Sequence, residues 1–366
     1  MQVIILTCFE SNEERVSFVV DACKSRNYDV SVISTDFSHI KKQKRTNIPD
    51  GYKVVETKPY SRNLSLGRMI SHYKFAKDAF ELIENENPDL IWLMAPANSL
   101  IKQANKYKKK HPNVKLIIDI IDMWPESLPI KLNRNIPPLS TWRSIRSKYI
   151  NCADALVSEC DLYQDILSKE YAGDIKTIRW CRDSRVKNND LKIDDDKLSL
   201  VYIGSINNII STEILSNVIS NIDMPVVLHV IGEGENRYNF VNVLSRNCEV
   251  IYHGAIRDEK QKVKIFDMCH AGVNIYRDNL YIGLTVKCID YFEHGLPIIN
   301  NIKGDTYSMV EKYGVGINVD ENTKVDGNKL IKMRKNNKYI YDFYNSNFTK
   351  KVFVDKCLDV IDEVLK

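Results

Sequence analysis

The chain has 366 residues, 44% apolar and 27% charged, with a net charge of +4. That length allows two domains with separate cores, and so small a positive excess argues against a nucleic-acid binder, which is expected to be far more basic. The nine cysteines are scattered and include no C-x-x-C pair, which argues for free thiols in a reducing compartment over a disulfide framework or a zinc site.

The chain begins MQVIILTCFESNEE. It lacks a basic start and its apolar run is only about five residues, so it does not read as a signal peptide. No stretch reaches the roughly 20 apolar residues of a membrane span, and a cytoplasmic protein is expected. Strand candidates then follow at 3–9, 29–35, 52–57, 89–95, 114–122, 155–160 and 175–180, with helical stretches at 12–26, 66–86, 98–110 and 139–151. Such alternation predicts βαβ units and a mostly parallel sheet. Near-continuous apolar strands agree, because both faces of such a sheet are covered.

Residues 181–197, CRDSRVKNNDLKIDDDK, lack apolar periodicity and read as a linker. The alternation resumes with strand candidates at 198–205, 226–234, 249–256, 271–278, 296–301 and 314–320. The last stretch has apolar residues at helical spacing and predicts a terminal helix over 348–366. The fold class expected is therefore α/β, with two Rossmann-like doubly wound domains facing a cleft. The first spans 1–181 plus 348–366 and the second 182–347. Closure of that cleft is expected to hinge at Trp180–Asp183 and at the start of the terminal helix.

Ligands of open α/β sheets sit beyond the carboxyl ends of the strands. In the first domain the relevant stretch is LIIDIIDMWPESLP, residues 116–129. Asp119 and Asp122 are three apart, so an extended strand points them to opposite faces. Asp122 is placed at the strand end, toward the cleft. Asp119 is read as a buried structural carboxylate bonded to loop N–H groups. Trp124-Pro125 ends the strand, since proline cannot donate to a central ladder.

In the second domain, four strand ends carry glycine or polar punctuation: Gly204-Ser205-Ile206-Asn207, Gly232-Glu233-Gly234, His253-Gly254-Ala255-Ile256, and the run from Ile282 to Ile299. The last predicts a helix from about Thr285 to Gly295, with glycine at its carboxyl end. Lys287 falls in the first turn, where a cation opposes the helix dipole. It suits an anion bound there, since the lysine and the helix N-terminus would then act together. Asp290 shares a face with Lys287 and has the chemistry to accept hydrogen bonds from two ribose hydroxyls.

These turns, in this order and with the block K-C-I-D-Y-F-E-H-G-L-P at 287–297, resemble the donor domain of glycosyltransferases of GT-B architecture, in particular glycosyltransferase family 4. The resemblance covers most of 198–320. It implies a nucleotide-sugar donor, of the uridine diphosphate type, held by the second domain, and retention of anomeric configuration. Lys287 would hold the diphosphate, near Thr285 at the helix start, and Asp290 the ribose. Gly204, Ser205 and Asn207 would lie near the phosphates, and Gly232, Ala255 and Ile256 would border the base. The segment D-x-W-P-E at 122–126 is also similar to one in bacterial polysaccharide transferases. It implies Asp122 as a catalytic-site residue beside Lys287, with Trp124 and Glu126 toward the acceptor, a glycan or a polyprenyl-diphosphate-linked glycan; packing is the other role open to Trp124. The first glutamate of the family's E-x7-E pattern is replaced by Ile282, and its arginine in the loop after Gly204 is absent.

Asp194-Asp195-Asp196 precedes a strand within a charged stretch and reads as a solvated turn. No His/Cys/Asp cluster has metal spacing, so neither a metal nor another cofactor is expected. Basic residues at 41–45 and 106–110, with Lys131, Arg134, Arg143, Arg146, Lys148 and Trp142, make a peripheral contact with an anionic membrane surface an expectation of the same reading. Two other functions share the architecture: a non-catalytic partner subunit, favoured by the loss of glutamate at 282, and a nucleotide-sugar epimerase.

Overall fold

A computed structural model describes residues 1–63, 65–130, 133–182 and 193–366. The chain separates into two compact units, Met1–Arg179 with Lys351–Lys366, and Trp180–Lys350.

Among the described residues of unit 1, apart from a short antiparallel pair at Phe37–Ser38 and Gln43–Lys44, the strands are β1 (Gln2–Leu6), β2 (Asp29–Thr35), β3 (Lys53–Val55), β4 (Leu90–Ala95), β5 (Lys115–Ile120), β6 (Ala155–Ser158) and β7 (Ile175–Thr177). They form one parallel sheet in the order β3-β2-β1-β4-β5-β6-β7. Parallel neighbours require crossovers, supplied mainly by helices α1 (Glu13–Ser25), α2 (Leu66–Glu84), α3 (Asn98–Lys110), α4 (Leu139–Tyr149) and α5 (Gln164–Leu167). The all-apolar β4, LIWLMA, is buried along its length at the middle of the sheet, as a strand covered on both faces must be.

Unit 2 contains β8 (Leu198–Ile203), β9 (Val226–Ile231), β10 (Glu249–Gly254), β11 (Ala271–Asn274), β12 (Ile298–Asn300) and β13 (Gly316–Asn318), all parallel, in the order β10-β9-β8-β11-β12-β13. Its helices are α6 (Thr212–Ser220), α7 (Arg237–Leu244), α8 (Glu259–Asp267), α9 (Val286–Glu293), α10 (Asp305–Tyr313), α11 (Gly327–Lys335) and α12 (Lys338–Asn347). In each unit the strand order reverses beside the first strand, at β1/β4 and at β8/β11. Such a switch point is where two connections leave in opposite directions and a ligand crevice opens.

Asp119, in β5, is fully buried, and its partners correct the expectation of loop N–H groups. Arg15 of α1 grips it with two nitrogens, Nε at 2.8 Å and Nη2 at 2.9 Å, and the Trp92 indole N–H donates to it at 3.2 Å. The expected terminal helix is α13 (Lys350–Leu365). Its Phe353 packs on Phe18 at 5.5 Å and lies 4.9 Å from the Arg15 guanidinium.

The acidic turn at 194–196 is more than solvated, because Asp195 pairs with Lys335 and with His270. The cysteines are free thiols. Among the described residues no helix is long and apolar enough to cross a membrane, and no group of three His, Cys, Asp or Glu side chains is gathered to hold a metal ion.

Candidate functional site

In unit 2 the turn after β8 is fastened to the turn after β9. Gly204 N–H donates to Ile231 O at 3.0 Å, Ile206 N–H to Glu233 O at 2.9 Å, and Asn236 N–H to Ile206 O at 3.1 Å. Gly232 has φ +153°, and a Cβ built there would lie 2.0 Å from the Gly204 carbonyl oxygen. Its glycine is thus demanded by loop-to-loop packing. Gly232→Ala is expected to lower stability by about 2–4 kcal/mol, through backbone strain and overpacking. Urea unfolding of the two proteins checks this, and an unchanged midpoint would mean the turns are free to part.

Among the other expected donor contacts, Ser205 is exposed, with its carbonyl taken by the Tyr202 hydroxyl at 2.8 Å. Asn207 Oδ1 caps Ile209 N–H at 3.1 Å. Ala255 is exposed after β10, whereas Ile256 packs on the core.

Thr285 stands at the N-cap of α9, yet its hydroxyl does not cap the helix. It donates instead to Asn274 Oδ1 at 2.9 Å. Asn274 Nδ2 in turn donates to Asn300 Oδ1, and Asn300 Nδ2 to Asn318 Oδ1, each at 2.8 Å. Three neighbouring strands, β11 to β13, therefore end in paired asparagines that hold Thr285 in place. The first N–H groups of α9 are left with no side-chain cap, the arrangement that makes a helix start attractive to an anion.

Lys287 lies in the first turn of α9. It is only 9% exposed, and its ammonium has no hydrogen-bond partner. It sits between two aromatic faces, 4.5 Å from the Tyr202 ring centre in β8 and 4.4 Å from that of Tyr276, just beyond β11. These residues flank the β8/β11 switch point. Burial pushes the Lys287 amine down to about 7. Two rings attract a cation but accept no N–H bond with the strength of an anion.

Asp290 is where the ribose reading changes. Its carboxylate is buried and bound by Arg182 Nε at 2.6 Å. Arg182 N–H is itself bonded to Phe348 O at 2.9 Å, and its carbonyl accepts the Tyr344 hydroxyl at 3.0 Å. Asp290 thus secures the strand of chain that enters unit 2. Asp183, the last residue of the expected hinge, lies outside the described residues, as does Lys131 of the expected basic surface.

In unit 1, β5 ends at Ile120, and Asp122 lies in the bend beyond it rather than on the strand. Both its oxygens are taken by its own loop: the Trp124 indole N–H donates at 2.6 Å, and the Ser127 hydroxyl bonds the other oxygen. Burial raises its carboxyl above the usual range against those bonds. Asp122 is a loop-holding carboxylate here, not one directed at a ligand. Glu126 is likewise engaged, by Arg143 at 2.7 Å and Arg146 at 2.8 Å. Arg146 also binds Glu170 at 2.8 Å, and Arg134 donates to the Pro125 and Leu128 carbonyls. These three arginines are structural, which removes them from the expected membrane surface.

Trp124 is buried in an aromatic cluster with Phe9, His72 and Trp142, at centroid distances of 5.7, 6.1 and 5.9 Å. The Arg68 guanidinium lies 4.2 Å from its ring. Burial and that arginine keep both imidazoles neutral, His39 at about 4 and His72 well below its ordinary value. Sequence reading missed Arg68, His39 and His72, which belong to no spaced motif. It also missed the asparagine series, although the strands AGVN, IIN and GIN share that last residue.

No protein-family model matches the chain, and no curated protein sequence does. Solved structures do. A sucrose-phosphate synthase from Thermosynechococcus elongatus is similar at TM-score 0.70 and 11% identity, over 100% of this chain and 99% of that one. The lipopolysaccharide outer core galactosyltransferase WaaB, in its apo form, is similar at TM-score 0.70 and 14% identity, over 99% of both chains. Anabaena HepE in complex with UDP and glucose is similar at TM-score 0.65 and 14% identity, over 100% of this chain and 99% of that one. At such identities the likeness establishes the fold, which is GT-B: two Rossmann-like units in one chain.

Proposed function

We propose that the chain is a glycosyltransferase that moves a sugar from a nucleoside diphosphate, of the uridine type, to a glycan or lipid-linked glycan acceptor in surface-polysaccharide synthesis. The observation that carries this is Lys287, a buried amine with no hydrogen-bond partner, beside an uncapped helix start at the β8/β11 switch point. A phosphate there would supply what the site lacks. It would raise the amine's proton affinity, accept its N–H bonds and meet the α9 N–H groups. The same groups would stabilise the diphosphate as it leaves, a preorganised electrostatic contribution of the kind that dominates many enzymes. The leaving phosphate is then placed to take the acceptor proton, with retention at the anomeric carbon. The reading invokes no metal ion. It places the protein in the cytoplasm, with any membrane contact peripheral.

Likeness to HepE in complex with UDP and glucose supports the uridine choice. A screen of nucleotide sugars by thermal shift tests it, since a ligand that binds only the folded state raises the unfolding temperature. Uridine diphosphate and at least one uridine diphosphate sugar are expected to shift the wild type and to leave Lys287→Met unmoved. A screen in which no nucleotide sugar shifts the wild type would sink the reading.

The Asp290–Arg182 pair, together with isoleucine at 282, favours a second reading: a GT-B subunit that binds a glycan or a catalytic partner without turning donor over. Nucleotide binding with no release of nucleotide upon addition of any acceptor would favour it.

A further inference from the structure

Unit 1 contains a cavity of about 320 Å³ framed by α2, α3 and α4. Met69, Ile70 and Tyr73 line it from α2, Trp142 and Ile145 from α4, and Trp124 from the loop after β5. Its floor includes Ala97, two residues past β4, so it opens at the carboxyl edge of the sheet, where substrates of such sheets bind. Two polar side chains of its wall are already engaged. Asn98 Nδ2 donates to the Trp124 and Trp142 carbonyls at 3.2 and 2.9 Å, and the Ser99 hydroxyl to the His72 carbonyl at 2.9 Å. A sugar ring would find few spare donors there, whereas a hydrocarbon loses nothing by entering.

The mouth is apolar as well. Leu66, Ile70 and Tyr73 are 72%, 53% and 44% exposed, and their spacing sets them in one stripe along α2. Charge adds a second constraint. Helices α3 and α4 carry Lys102, Lys106, Lys108, Lys109, Lys110, Arg143, Arg146 and Lys148, and no Asp or Glu. Lys108, Lys110, Arg143 and Arg146 are paired with carboxylates of other segments. Among the described residues Lys102 has no carboxylate partner, and its ammonium lies 5.6 Å from the ring centre of Tyr73 at the cavity margin.

An apolar hollow with an unneutralised cation at its edge complements a chain that carries an anion at one end. We propose that this cavity holds the aliphatic chain of a lipid phosphate, with Lys102 beside the phosphate. That the lipid is the acceptor rests on the transferase reading above; the binding of the chain does not.

The full-length protein is titrated with decyl phosphate below its micelle concentration, following tryptophan fluorescence, since Trp124 and Trp142 line the cavity. A saturable change is expected with decyl phosphate and none with methyl phosphate at equal concentration. Ile70→Glu, at a half-exposed position, is expected to weaken binding about tenfold or more by setting a carboxylate in an apolar wall. Lys102→Glu is expected to weaken binding of decyl phosphate but not of decanol. Equal responses to methyl and decyl phosphate, or undiminished binding in both variants, would overturn the proposal. Binding to vesicles of phosphatidylcholine and phosphatidic acid without any binding of monomeric decyl phosphate would also overturn it, in favour of a flat surface patch. No sugar donor is present, so failure here leaves the nucleotide-sugar reading standing. Failure of donor turnover, conversely, leaves this site intact.

Discussion

At pH 6, Lys287→Met is expected to be more stable than the wild-type chain by roughly 2–5 kcal/mol, while its turnover of a nucleotide sugar falls by about 10²-fold or more. A buried ammonium with no hydrogen-bond partner costs stability, and methionine fills similar space without charge. The pH dependence follows from where the proton is held. The unfolded chain keeps the lysine proton up to its ordinary 10.5, whereas the folded site releases it near 7. Between these values the unfolded state binds more protons, so wild-type stability rises with pH. Below 7 both states are protonated and the full penalty is present. The advantage of the methionine variant should therefore be greatest at pH 6 and shrink as the pH rises toward 10. Urea unfolding of both proteins at several pH values measures this. A variant less stable than wild type at pH 6, or a difference that does not narrow with pH, would refute an unpaired buried amine. Wild-type turnover in the variant would refute its role in donor chemistry.

Asp119→Ala is expected to destabilise the protein by about 3–5 kcal/mol, the usual loss when one member of a buried ion pair is removed. The substitution strands the Arg15 guanidinium and frees the Trp92 indole N–H, both of which Asp119 now satisfies. The double variant Arg15→Met, Asp119→Leu should recover most of that loss, falling short by about 1–2 kcal/mol for the indole. Chemical unfolding of the singles and the double gives the coupling directly. If the double loses the sum of the single losses, the pair is not a unit. A loss below about 1 kcal/mol in Asp119→Ala would mean the site takes up water.

Much of the fold is legible in the sequence because parallel strands announce themselves as unbroken apolar runs between polar or glycine turns. LIWLMA and VVLHVI are examples. The α9 segment is legible too: a lysine in a first turn and glycine at 295, which takes φ +63° just past the helix. Partners are another matter. Arg15 reaches Asp119 across 104 residues, and Asp290 meets Arg182 across 108. No local pattern identifies either arginine, so on sequence alone Asp119 reads as bonded to loop N–H groups and Asp290 as open to a ribose. Asp122 differs in its position. Its sequence position reads as the carboxyl end of the strand, toward the cleft, but β5 stops two residues short of it, and Trp124 beyond the strand bonds its carboxylate.

The two ends of the chain meet in one unit, since residues 351–366 complete the unit that begins at Met1. Chains are made from the N-terminus, and domains commonly fold in that order. Here the sequence of events is inverted. All of 180–350 leaves the ribosome before Phe353 arrives to cover Arg15. The second unit is therefore the first that can finish, and the first must wait, one side of its sheet unsealed, for the final turns of helix. A nascent chain halted before residue 350 should expose that side to chaperones and proteases while its second unit is already built.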